Sequence, residues 1–329
     1  MAKKMNIIST IVGSFPTKSY KPQSFNERLT YRLGLFDSYR QSIEHCVESF
    51  VRNDVNIICD GQVREDMVKI FTDKINGFRN IDNTSHIKGK ITPAAHPISV
   101  KDLQIAFRKA KKLDSKFKLN APLNEIYTND AKGVKGIITG PTTLIHSSII
   151  DRFYNTKVNA IYDVAKALTI EARALEKAGA CAIQIDEPFI STGAEDICVS
   201  KKAVEIISSN INIPVILHVC GDLTDVLGDL LEFNVDILDL EFAGMPDNIK
   251  TLKNEWDDVY DKQIGIGCIN TRSEDVDSED VVRKTVKDVT NIIDKDEIII
   301  DPDCGMRTLP LEVADKKLKV INKIKEEGI

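Results

Sequence analysis

The stretch Pro214-Val-Ile-Leu-His218-Val-Cys220 is an apolar, β-branched run that ends in an imidazole and a thiol. In an extended strand side chains alternate with period two, so His218 and Cys220 face the same side. At the usual strand rise their Cα atoms stand about 6.6 Å apart, close enough for imidazole and thiolate to share one metal ion. Two later apolar runs end in the same manner. Val235-Asp-Ile-Leu-Asp-Leu240 leads into Glu241, and Glu297-Ile-Ile-Ile-Asp-Pro-Asp303 leads into Cys304. Each candidate ligand falls where a strand stops, with Cys268 a further strand-end thiol held in reserve.

The elements that must position these groups are short β-branched runs alternating with longer helical patterns. The runs are 6–12, 55–59, 136–139, 181–185, 215–219, 235–240, 263–269 and 297–301. Apolar residues at helical spacing mark 38–52, 158–178, 223–232, 278–293 and 311–324. Eight strands with helices between them imply a parallel sheet, and the length suits a single (β/α)₈ barrel domain spanning 1–329. The stretch 62–135 is too long for one crossover and reads as an insertion between strands 2 and 3, over the barrel mouth or its side. An open doubly wound sheet is the structural rival. The barrel is favoured because polar, chemically capable residues follow nearly every run and would converge on the catalytic face: Gly13-Ser14, Gly61-Gln62, Gly140-Pro141, Asp186-Glu187, His218 with Cys220, Glu241, Asn270 and Asp303-Cys304.

The chain has 329 residues, of which 42% are hydrophobic, enough for a full core. A formal charge of -6 argues against nucleic acid, whose phosphates call for a basic face. Neither a cleavable leader nor a run of membrane-spanning length is legible, so no membrane partner and a soluble, cytoplasmic protein are expected. Seven cysteines without a paired framework read as reduced thiols.

Six segments together carry a family resemblance: Ile11-Val-Gly-Ser-Phe-Pro16, Ile138-Thr-Gly-Pro141, Gln184-Ile-Asp-Glu-Pro188, His218-Val-Cys220, Glu241 and Asp301-Pro-Asp-Cys-Gly305. In this order they resemble the catalytic half of cobalamin-independent methionine synthase, in the short archaeal form that lacks the N-terminal barrel. The resemblance implies a TIM barrel that holds zinc through His218, Cys220, Glu241 and Cys304 and transfers a methyl group to homocysteine sulfur. It also implies that Asp186 pairs with the substrate ammonium and that Val12, Gly13 and Ser14 hold its carboxylate. Gln62 stands near the family's amine-binding glutamate, Asn270 at the position of a proton-donating histidine, and Ser147 at that of a folate-stacking tryptophan.

The chemistry of that ligand set agrees. Zinc with two thiolates, a carboxylate and a neutral imidazole carries a net charge of about -1, which suits activating a thiol better than water. Against this stand plainer readings: a closed structural zinc, Asp186 or Glu187 as a helix cap, Ser14 as a turn residue, and His146 as a packed histidine. Ser147 and Asn270 offer neither a stacking ring nor an acid for a folate's leaving nitrogen, so methylcobalamin or a methylated corrinoid protein is the expected donor. A corrinoid-dependent transferase acting on another thiol such as coenzyme M, and a non-catalytic zinc-binding partner of a corrinoid protein, are the alternatives.

Overall fold

The computed structural model describes residues 6–257, 259–293 and 297–329. Twelve strands are described within them: β1 (Asn6–Ser9), β2 (Ile57–Ile58), β3 (Asn76–Ile81), β4 (Thr84–Thr92), β5 (Gly133–Val134), β6 (Gly136–Thr139), β7 (Ser148–Ile150), β8 (Ile183–Asp186), β9 (Val215–Val219), β10 (Ile237–Glu241), β11 (Gln263–Ile269) and β12 (Glu297–Pro302). Seven lie parallel in the order β1-β12-β11-β10-β9-β8-β6. The first strand pairs with the last, Asn6 opposite Glu297, as a closed ring requires and a doubly wound sheet does not allow. The remaining gap is closed by β2, which pairs with β5 and meets β1 through a Thr10–Ile57 bridge. β5 and β6 are one barrel strand interrupted at Lys135, so the third strand starts three residues earlier than the apolar run suggests. The result is an eight-stranded TIM barrel, as expected from the alternation of elements.

Period-two alternation builds the interior in layers. The lowest is apolar: Ile8, Ile57, Ala182, Ile216, Ile237 and Ile299 form one cluster with Ile126 and Tyr127 of the helix Leu123–Thr128. Two residues further along each of four strands lie Gln184, His218, Asp239 and Asp301, all buried. Two further again come Asp186, Cys220, Glu241 and Asp303. Every residue of β9 and β10 is buried, which is why these strands read as continuous apolar runs broken only by the groups that face inward.

The outer helices pack an apolar stripe on the barrel. In Lys157–Lys177 the buried positions Ile161, Val164, Leu168, Ala172 and Leu175 recur at three- and four-residue intervals, and each large one contributes about 1.5–3 kcal/mol. The pattern over 223–232 is helical only at Leu227–Leu231. Before it, Asp222 folds the chain into a turn on Thr224 N–H (2.9 Å), and Leu223 N–H donates to Asn248 Oδ1 (3.1 Å), so helix cannot start sooner.

The insertion carries an antiparallel hairpin, β3–β4, turned at Asp82 and Asn83, both at positive φ as a two-residue hairpin turn demands. β7 adds to its edge beside β4. Buried Glu171 of the barrel helix accepts Ile98 N–H (2.7 Å) and Ser99 N–H (2.8 Å), which pins the start of the helix Val100–Leu113. Met67 reaches the mouth, where its carbonyl accepts Thr139 Oγ1–H (2.7 Å), while the hairpin packs on the side. Among the described residues no helix is long and apolar enough to cross a membrane.

Candidate metal centre and substrate cavity

His218 lies on β9, Cys220 directly follows that strand and Cys304 follows β12, and these three bring one ligand atom each within 4.8 Å of the others. They line a cavity of about 270 Å³ together with Val12, Gly13, Ser14, Gln62 and Asp186. Eight of the ten residues singled out from the sequence therefore meet in one place. The other two are Glu241 and Asn270.

His218 is held by Asp239 on the neighbouring strand, directly opposite it in register. Its Nδ1 lies 2.9 Å from Asp239 Oδ2, with both side chains almost fully buried. The other ring nitrogen, Nε2, is buried and has no hydrogen-bond partner among the described residues. An orphaned imidazole nitrogen is costly unless something takes its lone pair, and here it faces two cysteine sulfurs. The hydrogen bond from Cys220 and the adjacent His218 pull the Cys304 thiol below its ordinary range, which favours its thiolate form. The same contact with Cys304 pushes Cys220 up. Burial alone would discharge His218, but Asp239 and the cysteines outweigh it and hold the imidazole above its ordinary range. A soft dication replacing these protons satisfies all three groups, so the donor set fits zinc.

Glu241 ends β10, is buried, and sits one strand away from His218. Its Oε2 accepts Gly221 N–H (2.8 Å) and Arg272 Nη2–H (2.9 Å). The space it occupies exists because residue 244 is glycine, whose Cβ would stand 2.5 Å from Oε1. Glu241 is therefore beside the cluster, turned towards the loops. The loop that follows it is fixed by Asp303, whose carboxylate accepts N–H groups from Phe242 (3.1 Å), Ala243 (3.0 Å) and Gly244 (2.6 Å).

Asp186 is buried opposite His218 in register. Gln184 Nε2 donates to its Oδ1 (2.6 Å) and to the Val12 carbonyl (2.6 Å), linking the two sides of the cavity. Burial pushes Asp186 up to about 6, against the pull of His218 and Gln184. An ammonium group entering the cavity would restore its charge. Glu187 faces away. It accepts from Thr142 N–H (2.9 Å), Thr143 N–H (2.8 Å) and Thr143 Oγ1–H (2.6 Å), capping the helix Pro141–His146. Only glycine fits at residue 140, where a Cβ would lie 2.2 Å from the Glu187 carboxyl carbon. Ser14 lies on the opposite wall, its carbonyl accepting Met306 N–H (2.7 Å). Gln62 is held at positive φ over Gly13, with its carbonyl accepting from Arg307.

Asn270 does not line the cavity. Its Oδ1 accepts Arg272 N–H (2.8 Å) and so shapes the turn after β11. His146 is packed, with Nε2 3.1 Å from Glu195 and its ring stacked on Phe189. Sequence reading missed Asp239, Gln184 and Arg272. The first two carried a signal, since each stands two residues before a site residue on its strand. Arg272, in a polar loop, carried none.

The chain matches the model of the cobalamin-independent synthase catalytic domain over residues 7–327. It belongs to that family. Methionine synthase of Methanothermobacter thermautotrophicus is 44% identical over 315 residues, covering 95% of this chain and 97% of that protein. That of Methanocaldococcus jannaschii is 39% identical, covering 95% and 96%. The similarity runs over nearly the whole length of both relatives. Among solved structures, a B12-independent methionine synthase from Shewanella sp. W3-18-1 superposes with a TM-score of 0.77 at 19% identity, covering 97% of this chain and 96% of that one. At that identity the likeness speaks for the barrel. The family is one of methyltransferases.

Proposed function

We propose that this chain is a zinc-dependent methyltransferase that methylates the sulfur of homocysteine to form methionine. The observation that carries the reading is one cavity that holds both the His218–Cys220–Cys304 cluster and the buried carboxylate of Asp186, which accepts a hydrogen bond from neutral Gln184. Zinc, when bound, would lower the proton affinity of a substrate thiol and keep it nucleophilic. His218, Cys220 and Cys304 would hold it, with Glu241 beside them as a fourth ligand. Asp186 takes the ammonium, the Val12–Ser14 backbone takes the carboxylate, and Gln62 flanks them. The alternative thiol coenzyme M has no ammonium group, and a buried Asp186 has no use for its sulfonate.

For the donor we infer a methylated corrinoid. Asn270 is committed to its turn and Ser147 presents no ring, so neither an acid nor a stacking surface for a pterin comes from those positions. The family's description as cobalamin-independent favours the competing donor, a methylated folate-type pterin. The deciding experiment is methionine formation by the purified zinc protein from homocysteine with methylcobalamin or with methyltetrahydrofolate in parallel. Turnover with methylcobalamin alone supports the reading, turnover with the pterin alone overturns the donor, and methylation of a thiol lacking an amino group as fast as homocysteine overturns the acceptor.

A further inference from the structure

Glu241 and Arg272 form an ion pair of unequal partners. The Glu241 side chain is 1% exposed and the Arg272 side chain 58%, with Nη2 2.9 Å from the carboxylate. A buried carboxylate needs a cation, whereas a half-exposed guanidinium gives one up at little cost because water replaces it. The pair is also built in place. Asn270 Oδ1 fixes the Arg272 backbone (2.8 Å), Gly221 N–H anchors the same carboxylate oxygen (2.8 Å), and Gly244 leaves room for the other. Gly221 directly follows Cys220, so the carboxylate is parked one peptide unit from the cluster without joining it.

We propose that Arg272 is a positioning residue that holds Glu241 away from the His218–Cys220–Cys304 cluster and keeps one ligand position there available to a substrate thiol. The inference rests on reading that cluster as a metal centre. Glu241 then has two cations to choose between, the metal and Arg272. If a substrate sulfur took its place beside the metal, Arg272 would keep the Glu241 charge neutralised instead of leaving it stranded in the barrel. This gives Asn270 a part in the site through the turn that presents Arg272, and it explains why a buried acid is matched with an exposed arginine.

The test is metal affinity, read by equilibrium competition of zinc between the protein and a chromogenic chelator, with wild type, Arg272→Gln, Arg272→Lys and the double variant Arg272→Gln/Glu241→Gln. Freeing Glu241 in Arg272→Gln should tighten zinc about tenfold and weaken homocysteine binding by a similar factor. Arg272→Lys keeps the charge and should stay near wild type, and the double variant should lose the gain. In the cobalt-substituted protein, the visible spectrum should change on adding homocysteine in wild type and less so in Arg272→Gln. Zinc affinity that is unchanged or weaker in a folded Arg272→Gln overturns the proposal while leaving the metal centre intact. Failure of the wild type itself to bind zinc overturns the metal reading on which it rests. With zinc bound, thermal melting of both Arg272 variants should stay near that of the wild type, because the metal then supplies the buried Glu241 carboxylate with a cation.

Discussion

Replacing Asp239 by Asn tests how His218 is used. The Nδ1–Oδ2 distance is 2.9 Å and both side chains are almost fully buried, so the bond is charge-assisted and unscreened by solvent. Asn can still accept the Nδ1 proton and preserve the ring's orientation, but it removes the negative charge that makes Nε2 a stronger electron donor. Loss of such a partner costs about 10- to 100-fold in metal affinity, or about 1.4–2.7 kcal/mol. Asp239→Asn belongs at the lower end. Asp239→Ala belongs at the upper end and also loses fold stability, about 1–3 kcal/mol, because the ring N–H is left without an acceptor. Burial and the neighbouring Asp239 carboxylate push Asp301 up, so removing the Asp239 charge relieves Asp301 and partly offsets that loss. The assay is zinc competition with a chromogenic chelator, paired with urea unfolding. Zinc affinity within about twofold of wild type in both folded variants would refute the reasoning, since His218 would then not be holding metal through Nε2.

Cys220→Ser and Cys304→Ser should each lose zinc and activity while remaining folded, and Glu241→Gln should lose far less metal, as measured by zinc content after dialysis. Asp186→Asn should weaken homocysteine use by about 2–4 kcal/mol, read in kcat/KM, with little effect on a thiol lacking an amino group. Because burial raises Asp186 to about 6, wild-type homocysteine affinity should fall as pH drops through that value, and Asp186→Asn should lose this dependence. Arg64 bridges Asp37 (2.8 Å) and Asp102 (2.5 Å), both largely buried. Burial alone would raise Asp37, but Arg64 and Lys101 outweigh it and hold the carboxyl well below its ordinary value of 3.8. A depressed carboxyl stabilises fully above its unfolded value and loses that contribution as pH falls through the folded one. Arg64→Met should therefore cost about 3 kcal/mol in urea unfolding at neutral pH and less at about pH 3, below the unfolded value of Asp37, where the unfolded chain binds the proton that the ion pair excludes. An equal cost at both pH values would count against the ion-pair account.

The sequence by itself determined what period and residue type can carry. Strands buried on both faces wrote themselves as β-branched runs, their alternation with apolar helical stripes implied a parallel sheet, and the chemically distinctive residues stood at the strand ends. His218 and Cys220 could be placed on one face because a strand has period two, and the Asp-Glu-Pro and Asp-Cys-Gly turns pointed to the family. Tertiary structure decided whatever depends on which strands are neighbours. The pairing of β1 with β12 distinguishes a closed barrel from an open sheet, and no local pattern encodes it. The register that sets Asp239 opposite His218 depends on the stagger of two strands 21 residues apart. Of two adjacent acids, Asp186 enters the cavity and Glu187 caps a helix because consecutive side chains leave a strand end in opposite directions and only Gly140 admits the second. The Arg272–Glu241 pair was the least legible, since an arginine in a polar loop looks like any solvated charge until the fold sets a buried carboxylate beside it.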